Sequence, residues 1–329
     1  MALLPILTLF VGLITLIFGS ELLVRGATRL AKSAGVSSFV VGLTVVAFGT
    51  SAPELGGSIR AALDGNGGLA IGNIVGSNIT NICLILGFTA IVCPIPVRLR
   101  VVRSEVLQMI AATVLVMLAM IGPVVPRPVG AAFVVALLVF LLRAYVKGRR
   151  VDEQSAERRR VAEELVAEVS AGVRPPLILN VVLVIVGIGL LIYGSGMLVS
   201  GATSLAEQLG VSDAVIGLTL VAFGTSVPEL ALSIVAALRR EPDIAIGNIL
   251  GSNVFNILCV FGLTALVSPD PMVVPDGMWT RDLWVMLGSS LACLPIMFTG
   301  GRISRLEGVL LLGLYVGYVG ALYAMRGGA

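Results

Sequence analysis

Residues 19–91 recur as residues 194–266: at a constant offset of 175, 43 of the 73 positions are identical and no gap is needed. A duplication of this length dictates architecture, because both copies must adopt the same local structure and find equivalent places in the fold. Both copies are apolar. With 57% apolar residues, 12% charged residues and a mean hydropathy of +1.04, the chain has too little polar surface to cover a water-soluble globule of its size. A hydrocarbon core about 30 Å thick takes roughly 20 apolar residues per helical span. Ten stretches qualify, at about 3–24, 37–62, 68–91, 105–122, 128–146, 177–199, 212–238, 243–267, 282–299 and 306–325. Five spans per copy is an odd number, so equivalent segments must cross in opposite directions. The expected fold is an all-α membrane protein of ten transmembrane helices, arranged as two inverted five-helix repeats.

The boundaries follow: a first repeat over 1–147, a linker over 148–176 and a second repeat over 177–329. The one long polar stretch, Lys147–Pro176, reads as a linker with a helix over Ser155–Ser170 that ends at Gly172 and the Pro175–Pro176 pair. Of the 22 Lys and Arg residues, 18 fall on the linker side and four, Arg60, Arg127, Arg281 and Arg326, on the other. That bias makes the linker side cytoplasmic and puts both termini outside a multi-pass protein of the plasma (inner) membrane. The first twenty residues lack a positive n-region and read as the first span rather than a cleaved signal.

Two segments in each repeat break the apolar pattern: Gly42–Ile59 with Gly72–Gly87, and Gly217–Ile234 with Gly247–Gly262. The first of each pair carries Gly-Thr-Ser-x-Pro-Glu in mid-span. Pro53 and Pro228 donate no backbone hydrogen bond and crowd the preceding turn, so a broken helix is expected at the membrane midplane, with carbonyls such as those of Ala47 and Ala222 released toward a ligand. Glu54 and Glu229 are the acidic residues farthest from any expected membrane boundary, and inserting each costs about 3 kcal/mol on translocon scales. No Lys or Arg lies deep in a span, so cations or protons must compensate. Thr50, Ser51, Ser77 and Asn81, with their duplicates Thr225, Ser226, Ser252 and Asn256, supply hard oxygen donors suited to Ca2+ or Na+. Taken singly, the hydroxyls could bond back to their own helices, and glycine steps such as Gly72–Gly76 could serve close packing. Two mid-membrane carboxylates without basic partners have no comparable structural use.

The remaining features exclude other classes. The net charge of +3 is set by membrane topology and does not indicate a nucleic-acid partner. Cys83, Cys93, Cys259 and Cys293 show no CxxC spacing and read as small core residues, and the absence of histidine removes the commonest metal ligand. Glu21 and Arg25, four apart at the end of the first span, read as an interfacial ion pair. An intramembrane enzyme would need a base beside the serines of the GTS motifs, and none is offered. A passive channel is a further alternative.

The paired GTSxPE and GSNxxN elements, present in both halves, resemble those of the cation/Ca2+ exchanger superfamily, in particular its prokaryotic Na+/Ca2+ exchangers. The resemblance covers essentially the whole chain. It implies a secondary active antiporter rather than an enzyme, with no cofactor, a monomeric transport unit, and Na+ and Ca2+ as the transported ions. About three Na+ or one Ca2+ would alternately use a cluster of sites at the bilayer centre, with the first and sixth spans sliding against the rest. It further implies that Glu54 and Glu229 bridge the central sites, that Thr50, Thr225, Ala47 and Ala222 add carbonyl oxygens, that Ser51, Ser77, Ser226 and Ser252 complete Na+ sites, and that Asn81 and Asn256 complete the central position. Many relatives carry an aspartate at one of these two asparagine positions. With Asn at both, Ca2+/H+ or K+-dependent exchange stands as the alternative to Na+/Ca2+ exchange.

Overall fold

The computed structural model describes residues 3–164, 177–209, 224–298 and 300–326. Its helices are α1 (Leu3–Ala34), α2 (Ser38–Thr50), α3 (Ala52–Leu63), α4 (Gly67–Val92), α5 (Leu99–Ala119), α6 (Arg127–Glu164), α7 (Leu177–Gln208), α8 (Val227–Leu238), α9 (Pro242–Val267), α10 (Met278–Phe298) and α11 (Arg305–Arg326). Among the described residues eight helices are long and apolar enough to cross a membrane, and α2 with α3, bent by 43°, forms a broken ninth. The expected span over 212–238 is described only from Gly224 onward, where α8 continues it. The protein is a predominantly helical, multi-pass membrane protein.

Four two-residue strands depart from the all-helical expectation. They are β1 (Ile95–Pro96), β2 (Val124–Val125), β3 (Met272–Val273) and β4 (Arg302–Ile303). Antiparallel pairing of β1 with β4 and of β2 with β3 clips together loops that are distant in sequence. A second departure is α6, which runs unbroken from the fifth apolar stretch into the charged linker as far as Glu164. The straight-chain and charged residues of the linker are good helix formers, and nothing in Val146–Gly148 stops a helix that has already been nucleated. The stop signals at Gly172 and Pro175–Pro176 lie outside the described residues.

The apolar stretches sort by burial. The spans of α4 and α9 are 78% and 89% buried and form the centre, whereas only 28% of α1 and of α7 and 11% of α11 is covered. Exposed leucines and valines on α1, α7 and α11 suit contact with acyl chains. Cys83, Cys259 and Cys293 are buried free thiols and Cys93 is half-buried, as expected of small core residues.

Glycines explain how α1 and α7 meet. Gly12, Gly19 and Gly26 repeat every seven residues, and Gly187, Gly194 and Gly201 are their partners in the second half. A Cβ on Gly19 would stand 3.0 Å from Gly187 O, one on Gly12 3.0 Å from Gly194 O, and one on Gly26 3.1 Å from Asn180 O. Contacts advance along α1 as they recede along α7, so the two helices are antiparallel with backbone against backbone. Such close approach is the usual glue between helices in lipid, where the hydrophobic effect offers none. Glu21 ties the end of this pair to α8: its carboxylate accepts from Arg25, four residues on, and from Arg239 Nε at 2.6 Å.

Candidate cation site

The break expected in the second span is present, and it includes Gly49 O, the carbonyl that Pro53 leaves without its helical donor. Backbone bonds run up to Ser51 N–Ala47 O at 3.0 Å and resume with Leu55 N–Ser51 O at 3.1 Å. The lapse therefore falls on the carbonyls of Phe48, Gly49 and Thr50. Pro53 sits in the first turn of α3, where a missing N–H costs nothing. The expectation that Ala47 releases its carbonyl is not met in this conformation, because Ala47 O accepts from Ser51 N and, at 3.3 Å, from Thr50 Oγ1. Ala222 lies outside the described residues. Pro228 likewise occupies the first turn of α8, after Ser226.

Beyond each break, helical periodicity lines polar side chains along one face. Ser51 holds the N-cap position of α3, with Glu54 and Ser58 following on the same face, and Ser226 that of α8, with Glu229 and Ser233 following. On the facing helices Asn73, Ser77 and Asn81 are four apart along α4, and Asn248, Ser252 and Asn256 along α9. Where these stripes end, both helices widen by one residue per turn, over Thr80–Leu86 and Asn256–Phe261. Wide turns of this kind cluster at functional sites because they re-aim side chains and loosen the carbonyl ladder.

The stripes converge on the two glutamates. Ser51 Oγ donates to Glu229 Oε1 at 3.4 Å, and its duplicate Ser226 Oγ donates to Glu54 Oε1 at 3.3 Å. Each broken helix thus supplies a hydroxyl to the other's carboxylate. Thr50 and Thr225 lie against the opposite glutamate as well. Thr50 Oγ1 is 3.4 Å from Ser252 Oγ on α9. Glu54 is 1% and Glu229 0% exposed, and Thr50, Ser51, Ser77, Asn81, Ser226, Ser252, Asn256 and Ala47 are buried; Thr225 is half-buried. Ser77, Asn81 and Asn256 share the stripes, and among the described residues they make no hydrogen bond to either carboxylate.

None of the ion pairs among the described residues includes Glu54 or Glu229. Among the described residues their second oxygens, Glu54 Oε2 and Glu229 Oε2, have no hydrogen-bond partner, nor do Asn81 Oδ1 and Asn256 Oδ1. A buried carboxylate without a partner costs several kcal/mol, and each orphaned neutral acceptor adds about 1–3 kcal/mol. Four acceptor-only oxygens left unpaired among buried hydroxyls fit a hard cation, which needs six or more oxygens in a flexible shell if it is Ca2+. Among the described residues there is no cluster of three or more His, Cys, Asp or Glu, so the donor set is two carboxylates plus neutral oxygens, unlike that of a transition-metal centre.

Sequence reasoning passed over Asn73, Asn248, Ser58 and Ser233. Asn73 Nδ2 donates to Ser58 Oγ at 2.9 Å and Asn248 Nδ2 to Ser233 Oγ at 3.2 Å, the same bond in each repeat. The signal was available in the identity of both pairs at the 175-residue offset.

Comparison with known proteins settles the relationship. The family model described as sodium/calcium exchanger protein matches residues 4–146 and 179–324. The chain belongs to the sodium/calcium exchanger family. The exchanger is 37% identical over 319 residues to the putative antiporter CaxA of Alkalimonas amylolytica, covering 95% of this chain and 97% of that protein. It is 31% identical to the sodium/calcium exchanger MaX1 of Methanosarcina acetivorans, over 96% of this chain and 98% of the relative. A solved structure of the sodium-calcium exchanger NCX_Mj superimposes with a TM-score of 0.82 at 30% identity, covering 98% of the exchanger and 100% of the other chain. The match over nearly the full length includes both broken-helix motifs.

Proposed function

We propose that the protein is a secondary active antiporter that exchanges Na+ for Ca2+ by alternating access, with Glu54 and Glu229 as the charged members of one shared cation cage. The observation that carries the assignment is the reciprocal pair Ser51–Glu229 and Ser226–Glu54, which builds one site from both repeats around carboxylates that form no ion pair among the described residues. Thr50, Thr225, Ser51, Ser226, Ser77, Ser252, Asn81, Asn256 and the carbonyl of Ala222 complete the donor set; the Ala47 carbonyl joins them only in a conformation that frees it from Ser51 N and Thr50 Oγ1. Na+ and Ca2+ compete because both are hard cations for which the same oxygens can replace water.

Two carboxylates match the charge of one Ca2+. Three Na+ would leave a surplus of one positive charge, which makes the exchange sensitive to membrane potential. In this reading ten spans form two inverted repeats, 1–147 and 177–329, joined by a cytoplasmic linker over 148–176, with both termini outside the inner membrane. The antiparallel packing of α1 against α7 supports the inversion. The transport unit is one chain, embedded in the bilayer, and uses no cofactor.

The test is 45Ca2+ uptake into vesicles containing the purified protein, with Na+, K+ and pH gradients imposed one at a time. Uptake driven by an outward Na+ gradient and lost when choline replaces Na+ is expected. Uptake that persists with a pH gradient alone would reject Na+ coupling in favour of Ca2+/H+ exchange.

A further inference from the structure

Asn73 and Asn248 lie outside the proposed cage, one helical turn before Ser77 and Ser252. Asn248 is wholly buried and uses both ends of its amide: Nδ2 donates to Ser233 Oγ at 3.2 Å, and Oδ1 accepts from Thr50 Oγ1 at 3.0 Å. Asn73 Nδ2 donates to Ser58 Oγ at 2.9 Å and reaches Glu54 O at 3.4 Å. Ser58 and Ser233 are themselves 0% exposed, four residues after Glu54 and Glu229 and thus on the same helix face as the carboxylates. Each asparagine therefore braces a glutamate helix against the helix that faces it, one turn from the carboxylate. Packing alone would be served by leucine, without the cost of desolvating an amide.

Thr50 adds a second consequence. Its hydroxyl has one proton to give, and the acceptors around it are Asn248 Oδ1 at 3.0 Å, Ala47 O at 3.3 Å, Ser252 Oγ at 3.4 Å and the neighbouring Glu229 carboxylate. Of the contacts to Asn248, Ala47 and Ser252, that to Asn248 is the shortest. A Thr50 proton held by Asn248 leaves the Thr50 lone pairs outside that bond and spares Glu229, which already accepts from Ser51, a second hydroxyl donor. Asn248 belongs to the second repeat and Thr50 to the first, so the bond also fixes the two halves of the site against each other.

We infer that Asn248 and Asn73 are positioning residues of the exchange. They set the spacing between the glutamate helices and α4 and α9, and Asn248 keeps the Thr50 proton away from Glu229, so they control how tightly the cage takes Ca2+ without ligating it. The inference rests on the assignment of Glu54 and Glu229 to the cage.

The test uses the full-length protein in vesicles, with half-saturating Ca2+ and maximal rate of Na+-driven 45Ca2+ uptake read separately. Asn248→Ala is expected to raise half-saturating Ca2+ roughly tenfold, while the maximal rate falls by less than about threefold. Ser233→Ala should shift it in the same direction. The double variant should be no worse than Asn248→Ala alone, because both changes remove one bond. A half-saturating Ca2+ within about twofold of wild type for Asn248→Ala, or single effects that multiply in the double variant, would overturn the inference. If Asn248→Ala is not recovered folded, Ser233→Ala and Asn73→Ala decide by the same criterion. Exchange that survives Glu54→Gln removes the underlying assignment; an inactive Glu54→Gln beside an unaffected Asn248→Ala removes only the positioning role.

Discussion

A single methyl group at Gly251 should loosen the site without replacing any proposed ligand. A Cβ there would stand 2.4 Å from Leu43 O and 2.6 Å from Ala47 Cβ, both on α2. The nearest obstacle is backbone, which cannot rotate away. Ordinary contact begins near 3.4 Å, so α2 and α9 must part by about 1 Å. Overpacking of this kind costs about 1–3 kcal/mol in stability. The functional effect follows from where the displaced helices lead. Thr50 ends α2, and Asn248 and Ser252 lie on α9 beside Gly251, so the Thr50–Asn248 bond would lengthen from 3.0 Å toward about 4 Å, beyond hydrogen-bonding distance. Losing it forfeits about 1 kcal/mol of alignment, and with the cage displaced half-saturating Ca2+ should rise about tenfold or more. Gly251→Ala is therefore expected to lower both the melting temperature of the detergent-solubilised protein and the Ca2+ sensitivity of vesicle uptake. Gly313→Ala, on the exposed face of α11 where a Cβ would meet nothing within 4 Å, is the matched control and should change neither. A Gly251→Ala protein with wild-type Ca2+ sensitivity would refute the claim that α2 and α9 hold one site between them.

Two further expectations separate structural from transport roles. Tyr318 Oη donates to Asp282 Oδ1 at 2.9 Å while Arg281 Nε contacts the same oxygen at 2.7 Å, which ties α11 to the start of α10. Tyr318→Phe should cost about 1 kcal/mol in thermal stability and leave Na+-driven 45Ca2+ uptake intact; a lost flux with unchanged stability would contradict this. Glu21 bridges Arg25 and Arg239 on a partly exposed face of α1, so Glu21→Gln should cost no more than about 1 kcal/mol, with a difference from wild type that shrinks in high salt. Abolished exchange would place Glu21 in the ion path.

How far the sequence carries can be judged element by element. The pairing of Ser51 with Glu229 and of Ser226 with Glu54 joins residues that the 175-residue offset relates, so the duplication marks the two contacts as equivalent without saying that they meet. Membrane class, the bent second span and the buried glutamates follow from hydropathy and from one proline motif. Which carbonyls are freed was misjudged: Pro53, in the first turn of α3, withholds its donor from Gly49 O, so the lapse takes in Phe48, Gly49 and Thr50 and leaves Ala47 O bonded. The wide turns after Ile79 and Phe255 leave no local composition signal. The seven-residue glycine series was visible in each half, but its meaning requires knowing that α1 and α7 run antiparallel. Asn248 was hidden for the same reason: its donor Thr50 is 198 residues away, and only the fold makes that distance 3.0 Å.

The central claim is that Glu54 and Glu229 together carry the exchanged cations. It is tested most directly by Na+-driven 45Ca2+ uptake into vesicles containing Glu54→Gln and Glu229→Gln proteins, each matched to wild type in amount and melting temperature. Glutamine keeps the volume and one acceptor oxygen but removes the charge that balances Ca2+, so each variant should lose Na+-dependent uptake down to the level of protein-free vesicles. Wild-type uptake in either variant would contradict a shared two-carboxylate cage.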